Sequence, residues 1–297
     1  MTIWAKEATN LKKMNSLQSE HIFRSLTAFR RGENGTERYF LMFEWAGGGT
    51  LRNLWKTYSR PKLTVGLVYS TVRQIGGLAN AICKAHYPGT LGTHFRHGDL
   101  KPENILWFKP KGTDTGEDDI GTLKIADWGL AKEQHVVTVL RSINTSTKYG
   151  TRRYEPPEEE TRLGIGLQSL LAPNSSQSKK VKRRSRLTTY GNLGCITLEL
   201  IAWLMYGDDV LELFHNCFCV EKPGRTDPFY QIRKDEKGEC YAQVHEAAVK
   251  WMDHMAEDPV CKPGDTALGS LLEIVRGPPG GYRCLRLHQR GLRGAIF

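Results

Sequence analysis

The sequence predicts an α+β protein in which long apolar helices predominate over short strands. Tyr39–Phe43 is a short aromatic and apolar run that follows the Gly32–Gly35 turn signal, which is the pattern of a buried strand. Lys62–His86 carries apolar residues at helical spacing along its length, and Cys195–Tyr206 is the most apolar helix-like run of the chain. Two shorter amphipathic helices are predicted at Val244–Met255 and Thr266–Val275.

The composition suits a globular protein with one large or two small domains. The chain has 297 residues, of which 39% are hydrophobic and 25% are charged. The net charge of +10 favours anionic partners, but it does not choose among a nucleotide, an acidic protein and a nucleic acid. Unpatterned cysteines and the lack of an apolar signal segment predict an intracellular protein, cytoplasmic or nuclear. No apolar run is long enough to span a bilayer, so we expect no membrane partner.

The first elements expected along the chain are a helix and a pair of strands. Ala5–Leu17 alternates charged and apolar residues at helical spacing. Phe23–Phe29 is the expected partner strand of Tyr39–Phe43. The second strand leads to the glycines Gly47–Gly49, before a helix that begins near Leu51. A strand that ends in a Gly-rich link to a helix indicates a hinge between two lobes.

His97–Leu106, with the sequence HGDLKPENIL, carries the most chemical information in the chain. It places a carboxylate at Asp99, an ammonium at Lys101 and an amide at Asn104 within a short loop. Such a loop can hold a base, a charge stabiliser and a metal ligand near one transferring phosphoryl group. A second motif, Asp127–Gly129, reads DWG and supplies a further carboxylate.

Two short strands are expected between these motifs. Ile105–Phe108 follows the first motif directly, and Thr122–Ile125 leads into Asp127. The polar segment Lys109–Gly121 between them is rich in Gly and Asp, which predicts an inserted surface loop.

The loop at His97–Leu106 resembles the catalytic loop of the eukaryotic protein kinases, whose common form is HRDLKPEN, and the likeness points to the serine/threonine type. The resemblance implies a protein-kinase-like fold, mainly the helical C-lobe with a partial N-lobe. It also implies ATP and Mg²⁺ as cofactors and a protein as substrate. Asp99 would orient or deprotonate the acceptor hydroxyl, and Lys101 would stabilise charge on the transferring phosphoryl group. Asn104 and Asp127 would hold the magnesium.

The same resemblance implies a nucleotide site around the Gly-rich link. Phe43 matches the gatekeeper, and the backbone of Glu44 and Ala46 would meet the adenine edge. Thr50 would lie near the ribose, and Leu106 is assigned to the same nucleotide site.

Gly150–Glu158 resembles the substrate-docking segment of the family. Thr151 is in register to hydrogen-bond Asp99 and Lys101, as it does in serine/threonine-directed members. We therefore expect the acceptors to be Ser or Thr hydroxyl groups. Glu158 is expected to pair with an arginine late in the chain.

Three features depart from the family pattern. No glycine-rich strand pair and no strand lysine precede the first helix, so Glu7, at the position of the helix glutamate, has no expected lysine partner. Gly98 replaces the arginine that clamps a phosphorylated activation loop, so we expect activity that does not depend on loop phosphorylation. Thr189 stands where an aspartate should brace the catalytic loop. The chain is then either a fragment of a longer kinase or a pseudokinase, a catalytically dead binding or scaffold module.

These expectations divide the chain into three regions. Residues 1–46 form a partial kinase N-lobe, residues 47–276 form the C-lobe, and residues 277–297 form an atypical tail. A basic insert at about 161–187 is expected to be disordered, either as a solvated loop or as a nuclear import or anion-binding patch. Nucleic-acid binding is not expected, because the run Lys179–Arg186 lacks interleaved aromatic residues and a recognisable module.

Overall fold

The structure is a computed structural model that describes residues 3–33, 35–88, 94–110, 118–128, 152–154, 186–218, 227–236, 238 and 240–277. The chain divides into two compact units. The first consists of Met1–Tyr58 and Lys62–His135, and the second consists of Ser59–Pro61 and Val136–Phe297. Within the described ranges, no helix has both the length and the apolar character that crossing a membrane requires.

The described part of the first unit contains helices and two separate strand pairs. Strands β1 and β2 pair antiparallel, and so do strands β3 and β4. A single 3₁₀ turn, Pro102–Asn104, precedes β3. The elements in chain order are α1 (Ile3–Ser16), β1 (Ser25–Arg31), β2 (Arg38–Phe43), α2 (Leu51–Thr57), α3 (Val65–His86), β3 (Ile105–Phe108) and β4 (Thr122–Ile125).

The hairpin of β1 and β2 contains both predicted strands, but the prediction that Tyr39–Phe43 is buried is wrong. One face of the hairpin turns towards α1, where the ring of Tyr39 lies 4.9 Å from that of Trp4. On the other face Phe29 stacks on Phe40, with ring centroids 5.0 Å apart, and both rings remain exposed. A two-stranded sheet with one covered face leaves alternate apolar side chains in water, which an apolar run alone does not reveal.

Helix α3 is the long helix predicted at Lys62–His86, and local signals set its ends. Thr64 is the N-cap, because its side-chain oxygen accepts the backbone N–H of Leu67 at 3.1 Å. The helix ends at His86, two residues before Pro88, which disfavours helical backbone in the residue before it. Its buried apolar side chains are those of Leu67, Val72, Ile75, Leu78, Ala79, Ala81, Ile82 and Ala85.

Strands β3 and β4 have the bounds that the sequence predicts, and they pair with Ile105 opposite Ile125. The buried indole of Trp107 donates to the carbonyl of Ile120 at 2.6 Å. The side-chain oxygen of Gln74 on α3 accepts the backbone N–H of Leu123 at 2.9 Å. The first contact joins β3 to the segment before β4, and the second joins the start of β4 to α3.

The described part of the second unit centres on a helix that is apolar on all sides. Ile196, Ile201 and Trp203 on this helix are fully buried, as expected for a central helix. A hairpin of β5 and β6 and three further helices complete the described part of the unit. The elements are α4 (Arg186–Tyr206), α5 (Asp208–Asn216), β5 (Tyr230–Lys234), β6 (Cys240–Val244), α6 (Glu246–Glu257) and α7 (Ala267–Arg276).

The β5–β6 hairpin and α5 were not among the predicted elements. The predicted helix Val244–Met255 begins later than expected, because Val244 is the last residue of β6. His245 then caps α6, since its Nδ1 accepts the backbone N–H of Ala247 at 3.1 Å. The hairpin was missed because a charged edge pattern such as Tyr230–Lys234 resembles a loop.

The predicted lobe boundary after residue 46 lies inside the first unit and stays a prediction. The basic insert at about 161–187 lies outside the described residues except for its last two positions, and the tail at 277–297 lies outside them except for Gly277.

Candidate functional site

The loop between α3 and β3 brings the predicted catalytic side chains together. The Nζ of Lys101 lies 3.0 Å from Oδ2 of Asp99. The side-chain nitrogen of Asn104 donates to the carbonyl oxygen of Asp99 at 2.8 Å, and it lies 3.4 Å from Oδ2. The Pro102–Asn104 turn brings Asn104 back towards Asp99. One carboxylate, one ammonium and one amide therefore lie within hydrogen-bond distance of one another around Asp99. The side chains of Asp99 and Lys101 are each partly exposed to solvent.

His97 fixes this loop against the end of β4. Its Nε2 lies 2.7 Å from the carbonyl oxygen of Ala126, which can only accept, so Nε2 carries the proton. Its Nδ1 accepts the backbone N–H of Asp99 at 3.3 Å. Burial lowers the pKa of His97, which favours the neutral imidazole that can make both bonds. His97 therefore joins the loop to the residue after β4 and has a structural role there.

Asp127 follows β4 in a backbone conformation that few side chains adopt. Its φ is +56°, in the left-handed region. Within the described part of the chain, its exposed carboxylate makes no hydrogen bond and no ion pair. Trp128 is buried beside His97 with ring centroids 4.9 Å apart, and its indole donates to the carbonyl of Ile125 at 3.0 Å. The motif thus anchors its tryptophan in the core and leaves its carboxylate to solvent.

The backbone joins the two motifs directly. The N–H of Ala126 donates to the carbonyl oxygen of Asn104 at 2.8 Å, so the residue before Asp127 is bonded to the residue that carries the amide. The segment before β1 braces β4 from the other side, where Phe23 donates to Ile125 and Ile125 donates to His21, at 2.9 and 2.8 Å.

Asn104 and Asp127 offer oxygen donors of the kind that a magnesium ion binds. The side-chain nitrogen of Asn104 is committed to Asp99, which leaves its side-chain oxygen as the free acceptor. Asp127 contributes an exposed carboxylate, and oxygen donors from one or two side chains are what Mg²⁺ takes when it also binds phosphates.

The Gly-rich link packs against β3 through backbone hydrogen bonds. The N–H of Gly48 donates to the carbonyl of Trp107 at 3.1 Å, and the N–H of Trp107 donates to the carbonyl of Gly49 at 2.8 Å. A Cβ on Gly48 would lie 2.4 Å from the indole of Trp107, so glycine is required for this approach. The link therefore holds Thr50 next to Leu106, with which it forms an isolated bridge.

The residues predicted to bind nucleotide line this link. Thr50 is the N-cap of α2, and both its N–H and its hydroxyl donate to the side-chain oxygen of Asn53 at 2.9 Å. Phe43 stacks on Phe23 with ring centroids 5.1 Å apart. The carbonyl of Ala46 accepts the N–H of Gly49 at 3.0 Å. The structure brings Thr50 and Leu106 together, and the assignment of all these residues to a nucleotide site stays a prediction.

Lys124 is a residue of this region that the sequence reasoning missed. Its Nζ lies 2.8 Å from both carboxylate oxygens of Glu44 and 4.3 Å from the centroid of the Phe108 ring. The pair joins the end of β2 to β4 beside the link. The alternation of apolar residues in β4 indicates only on which face of the strand Lys124 lies. Its partner Glu44 could not be inferred from this pattern, because it lies eighty positions away in the chain.

A buried polar network in the second unit includes two residues of the predicted substrate-docking segment, Arg153 and Tyr154. The hydroxyl of Tyr154 lies 2.7 and 2.6 Å from the two carboxylate oxygens of the fully buried Glu199. His215 contacts the same carboxylate at 2.6 Å. The backbone oxygen of His215 accepts from Arg153 at 3.0 Å, which joins the Arg152–Tyr154 turn to α4 and α5.

Several predicted residues lie outside the described residues, namely Gly129, Thr151 and Glu158. Gly98 has a φ of +77°, a conformation that glycine adopts without strain. Glu7 lies on α1, and within the described side chains it makes no ion pair. Thr189 is buried on α4, and its hydroxyl has no hydrogen-bond partner in the described part of the chain.

The amino-acid sequence matches a protein-family model. Residues 3–163, more than half of the chain, match the protein-family model described as the protein kinase domain. No curated protein matches the chain. The match includes the loop at His97–Leu106, the DWG motif and the Gly-rich link. It ends before α4, so the assignment of α4 to α7 to a kinase C-lobe stays a prediction.

Proposed function

Because the chain belongs to the protein kinase domain family, we propose that it transfers the γ-phosphoryl group of ATP to serine and threonine hydroxyl groups of proteins. The observation that carries this proposal is the contact of Asp99 with Lys101 and Asn104 in the loop before β3. Phosphoryl transfer depends mainly on positioned charges, and these three side chains supply a base, a cation and a metal ligand.

Each side chain has a distinct role in the proposed reaction. The acceptor hydroxyl attacks the γ-phosphorus, a new P–O bond forms, and the bond to the bridging oxygen breaks to release ADP. The carboxylate of Asp99 orients the hydroxyl and takes its proton. Lys101 stabilises the negative charge on the transferring group. His97 keeps Asp99 at this position through its bond to the Asp99 backbone.

Asn104 and Asp127 would hold the magnesium, whose positive charge neutralises phosphate oxygens. The Gly-rich link with Glu44, Ala46 and Thr50 would receive adenosine, and the ion pair of Glu44 with Lys124 would keep the link against β4. Lys101 and Thr151 favour Ser and Thr acceptors over Tyr, because both residues match the serine/threonine-directed pattern.

Transfer of labelled phosphate from ATP to a generic basic protein tests the proposal. We expect Asp99→Asn and Asp127→Asn each to lower the rate by about 100-fold or more, the lower range for loss of a general base or metal ligand. Glu103→Gln is the matched control, because Glu103 lies in the same loop but pairs with Arg52 at 3.0 Å. This control should retain most of the activity.

The phosphorylated amino acids that form, and the activity that remains in the two aspartate variants, distinguish the possible outcomes. Hydrolysis of the labelled substrate should release phosphoserine and phosphothreonine, and phosphotyrosine would contradict the assigned acceptor class. Activity that survives both aspartate substitutions would come from a contaminating kinase, and the transfer measured with the parent chain could then not be assigned to this protein.

The alternative is a catalytically dead pseudokinase that acts as a binding or scaffold module. Thr189 favours it, because a buried threonine without a described hydrogen bond replaces a bracing aspartate. A chain that binds ATP but transfers no phosphate above the level of Asp99→Asn would support this alternative.

A further inference from the structure

Arg153 is a buried arginine that has no carboxylate partner in the part of the chain that the structure describes. The residue is 4% exposed, and it makes no ion pair there. Its Nη2 donates to the backbone carbonyl of His215 at 3.0 Å, whereas its Nε is enclosed and has no hydrogen-bond partner among the described residues. A guanidinium has five N–H donors, so most of them are left without a described acceptor. Arginine is almost never fully buried unless it is paired.

Contacts within the second unit hold Arg153 in place. The ring centroid of Phe218 lies 5.7 Å from the guanidinium carbon, a cation–π contact. The backbone carbonyl of Arg153 accepts the N–H of Phe229 at 3.2 Å. The next residue, Tyr154, is fixed by the bond of its hydroxyl to the buried Glu199. A side chain that is already ordered loses little conformational entropy when it binds a ligand.

The ligand that fits this arginine is an anion. A buried charge without a partner is costly, and a planar guanidinium pairs well with a carboxylate or a phosphate, to which it donates two parallel N–H bonds. Glu199 does not supply this partner, because its carboxylate binds Tyr154 and His215 and makes no ion pair with Arg153. The net charge of +10 also favours anionic partners.

The place of Arg153 in the sequence relates this anion to the protein substrate. Arg153 lies in the predicted substrate-docking segment, two residues after Thr151. Thr151 is expected to bond Asp99 and Lys101, where the proposed reaction holds the acceptor hydroxyl. Two residues of chain span at most about 7 Å. An anionic group bound by Arg153 would therefore belong to a residue near the acceptor in the same substrate.

We propose that Arg153 binds a carboxylate or phosphate group of the protein substrate. The protein then prefers serine and threonine acceptors that have an acidic or an already phosphorylated residue nearby. This inference rests on the proposed function and names the substrate class of that reaction. Glutamate and phosphoserine present the same chemistry to a guanidinium, so both sources are tested below.

Three synthetic peptides with one serine acceptor test the preference. They are identical except that the residues flanking the acceptor on both sides are glutamine, glutamate or phosphoserine. We expect the full parent chain to phosphorylate at least one of the two anionic peptides with a kcat/KM about tenfold or more above that of the glutamine peptide, as for one hydrogen bond between charged groups. The better anionic peptide identifies the source as a carboxylate or a phosphate.

Substitution of Arg153 assigns the preference to this side chain. Arg153→Met removes the charge and keeps an unbranched side chain, so the ratio of kcat/KM between the anionic and the glutamine peptide should fall to within about twofold of unity. A ratio measured on one sample does not depend on the folded fraction, so partial misfolding cannot imitate this result. Arg153→Lys keeps the charge without the planar pair of donors and should lower the ratio in part.

Arg276→Met is the matched control. Arg276 also lies in the second unit, but it is exposed and already pairs with Asp253 at 2.8 Å. This variant should keep the preference of the parent chain for the anionic peptide.

Calorimetric titration with the same peptides separates this inference from the proposed function. The parent chain should bind the preferred anionic peptide about tenfold or more tightly than the glutamine peptide, and Arg153→Met should remove the difference. This binding difference does not require phosphate transfer. A parent chain that shows it but phosphorylates none of the peptides would refute the proposed reaction and still support an anion site at Arg153.

Two results would overturn the proposal. The first is a parent chain with equal kcat/KM and equal dissociation constants for all three peptides. The second is a preference that Arg153→Met and Arg153→Lys retain in full, which would assign it to another basic residue. Circular dichroism shows whether Arg153→Met folds, and Arg153→Lys decides the test where it does not.

Discussion

Thr189 and Thr197 lie on the same helix, α4, and both are buried, yet their hydroxyl groups have different surroundings. The Thr197 hydroxyl donates to the carbonyl of Leu193 at 2.8 Å. The Thr189 hydroxyl has no hydrogen-bond partner within the described residues. A buried polar group without a partner destabilises a fold, whereas a paired one contributes modestly to its stability.

We expect Thr189→Val to raise the free energy of unfolding by up to about 1 kcal/mol, because it removes an unpaired hydroxyl and keeps the branched shape. Thr197→Val, the control, should lower the free energy of unfolding by about 1 kcal/mol through loss of its hydrogen bond. Urea unfolding followed by circular dichroism compares the two. Equal destabilisation by both substitutions would show that the Thr189 hydroxyl is hydrogen-bonded.

At the scale of elements, close backbone approaches and caps set the ends and contacts of the helices. Gly269 lies in α7, where a Cβ would be 2.1 Å from the carbonyl oxygen of Lys262. That oxygen belongs to the segment between the Pro259–Cys261 turn and α7, so the glycine allows the helix to pack closely on the chain that precedes it.

Gly269→Ala should therefore lower the free energy of unfolding, by about 1–3 kcal/mol as in overpacked sites. Alanine inside a helix ordinarily adds up to about 1 kcal/mol relative to glycine, so the predicted sign is opposite to the helix propensity. Ser270→Ala on the same helix serves as the control, with little change expected. A stabilised Gly269→Ala chain, in thermal unfolding, would contradict the close approach to Lys262.

The N-cap of α6 makes this helix sensitive to acid. Burial lowers the pKa of His245, although the charges of Asp227 and Glu246 act in the opposite direction. The unfolded chain therefore binds more protons than the folded chain between the lowered pKa and the ordinary value of about 6.5. Stability contributed by neutral His245 is present above about pH 6.5 and is lost as the pH falls below it.

We expect His245→Asn to reduce this acid sensitivity, because asparagine is a good N-cap and does not titrate. Between about pH 6.5 and 5, amide exchange in α6 should accelerate less in the variant than in the parent chain. The same acceleration in both chains would show that another group is responsible.

At the scale of the whole molecule, the family match and the site geometry support one proposed reaction. Gly98 bears on whether phosphorylation regulates that reaction. An arginine at this position would bind a phosphate on the activation loop, and glycine has no group that could do so. The candidate phosphorylation sites Ser142, Thr145, Ser146 and Thr147 lie outside the described residues.

We expect phosphatase treatment to leave the transfer rate within about twofold of that of the untreated protein, since the usual phosphate-binding residue is replaced. A large loss of activity on phosphatase treatment of the parent chain would contradict this prediction.

Much of the fold could be predicted because its signals are local. The α+β class and the membership of the protein kinase superfamily are confirmed. The strands Ile105–Phe108 and Thr122–Ile125 have their predicted bounds, and α1 and α3 lie where helical spacing placed them. Helix α4 contains the predicted run Cys195–Tyr206 but begins earlier, at Arg186. The hairpin Tyr230–Lys234 with Cys240–Val244 was missed, because its strands are short and polar on the outside.

The candidate site was predictable in part for the same reason. Asp99, Lys101 and Asn104 lie within one loop, so their proximity follows from their spacing in the sequence. The pair of Glu44 with Lys124 was not predictable, because the two residues are distant in sequence and each could as readily face solvent.

The sequence by itself determined the family of this protein and the identity of its candidate catalytic side chains. Motif residues lie close together in the sequence, and helical periodicity can be recognised within a short segment. The tertiary structure alone decided what those side chains contact. It placed His97 between Ala126 and Asp99, and it joined Glu44 to Lys124. Contacts between distant segments depend on packing and on hydrogen bonds that no local pattern specifies.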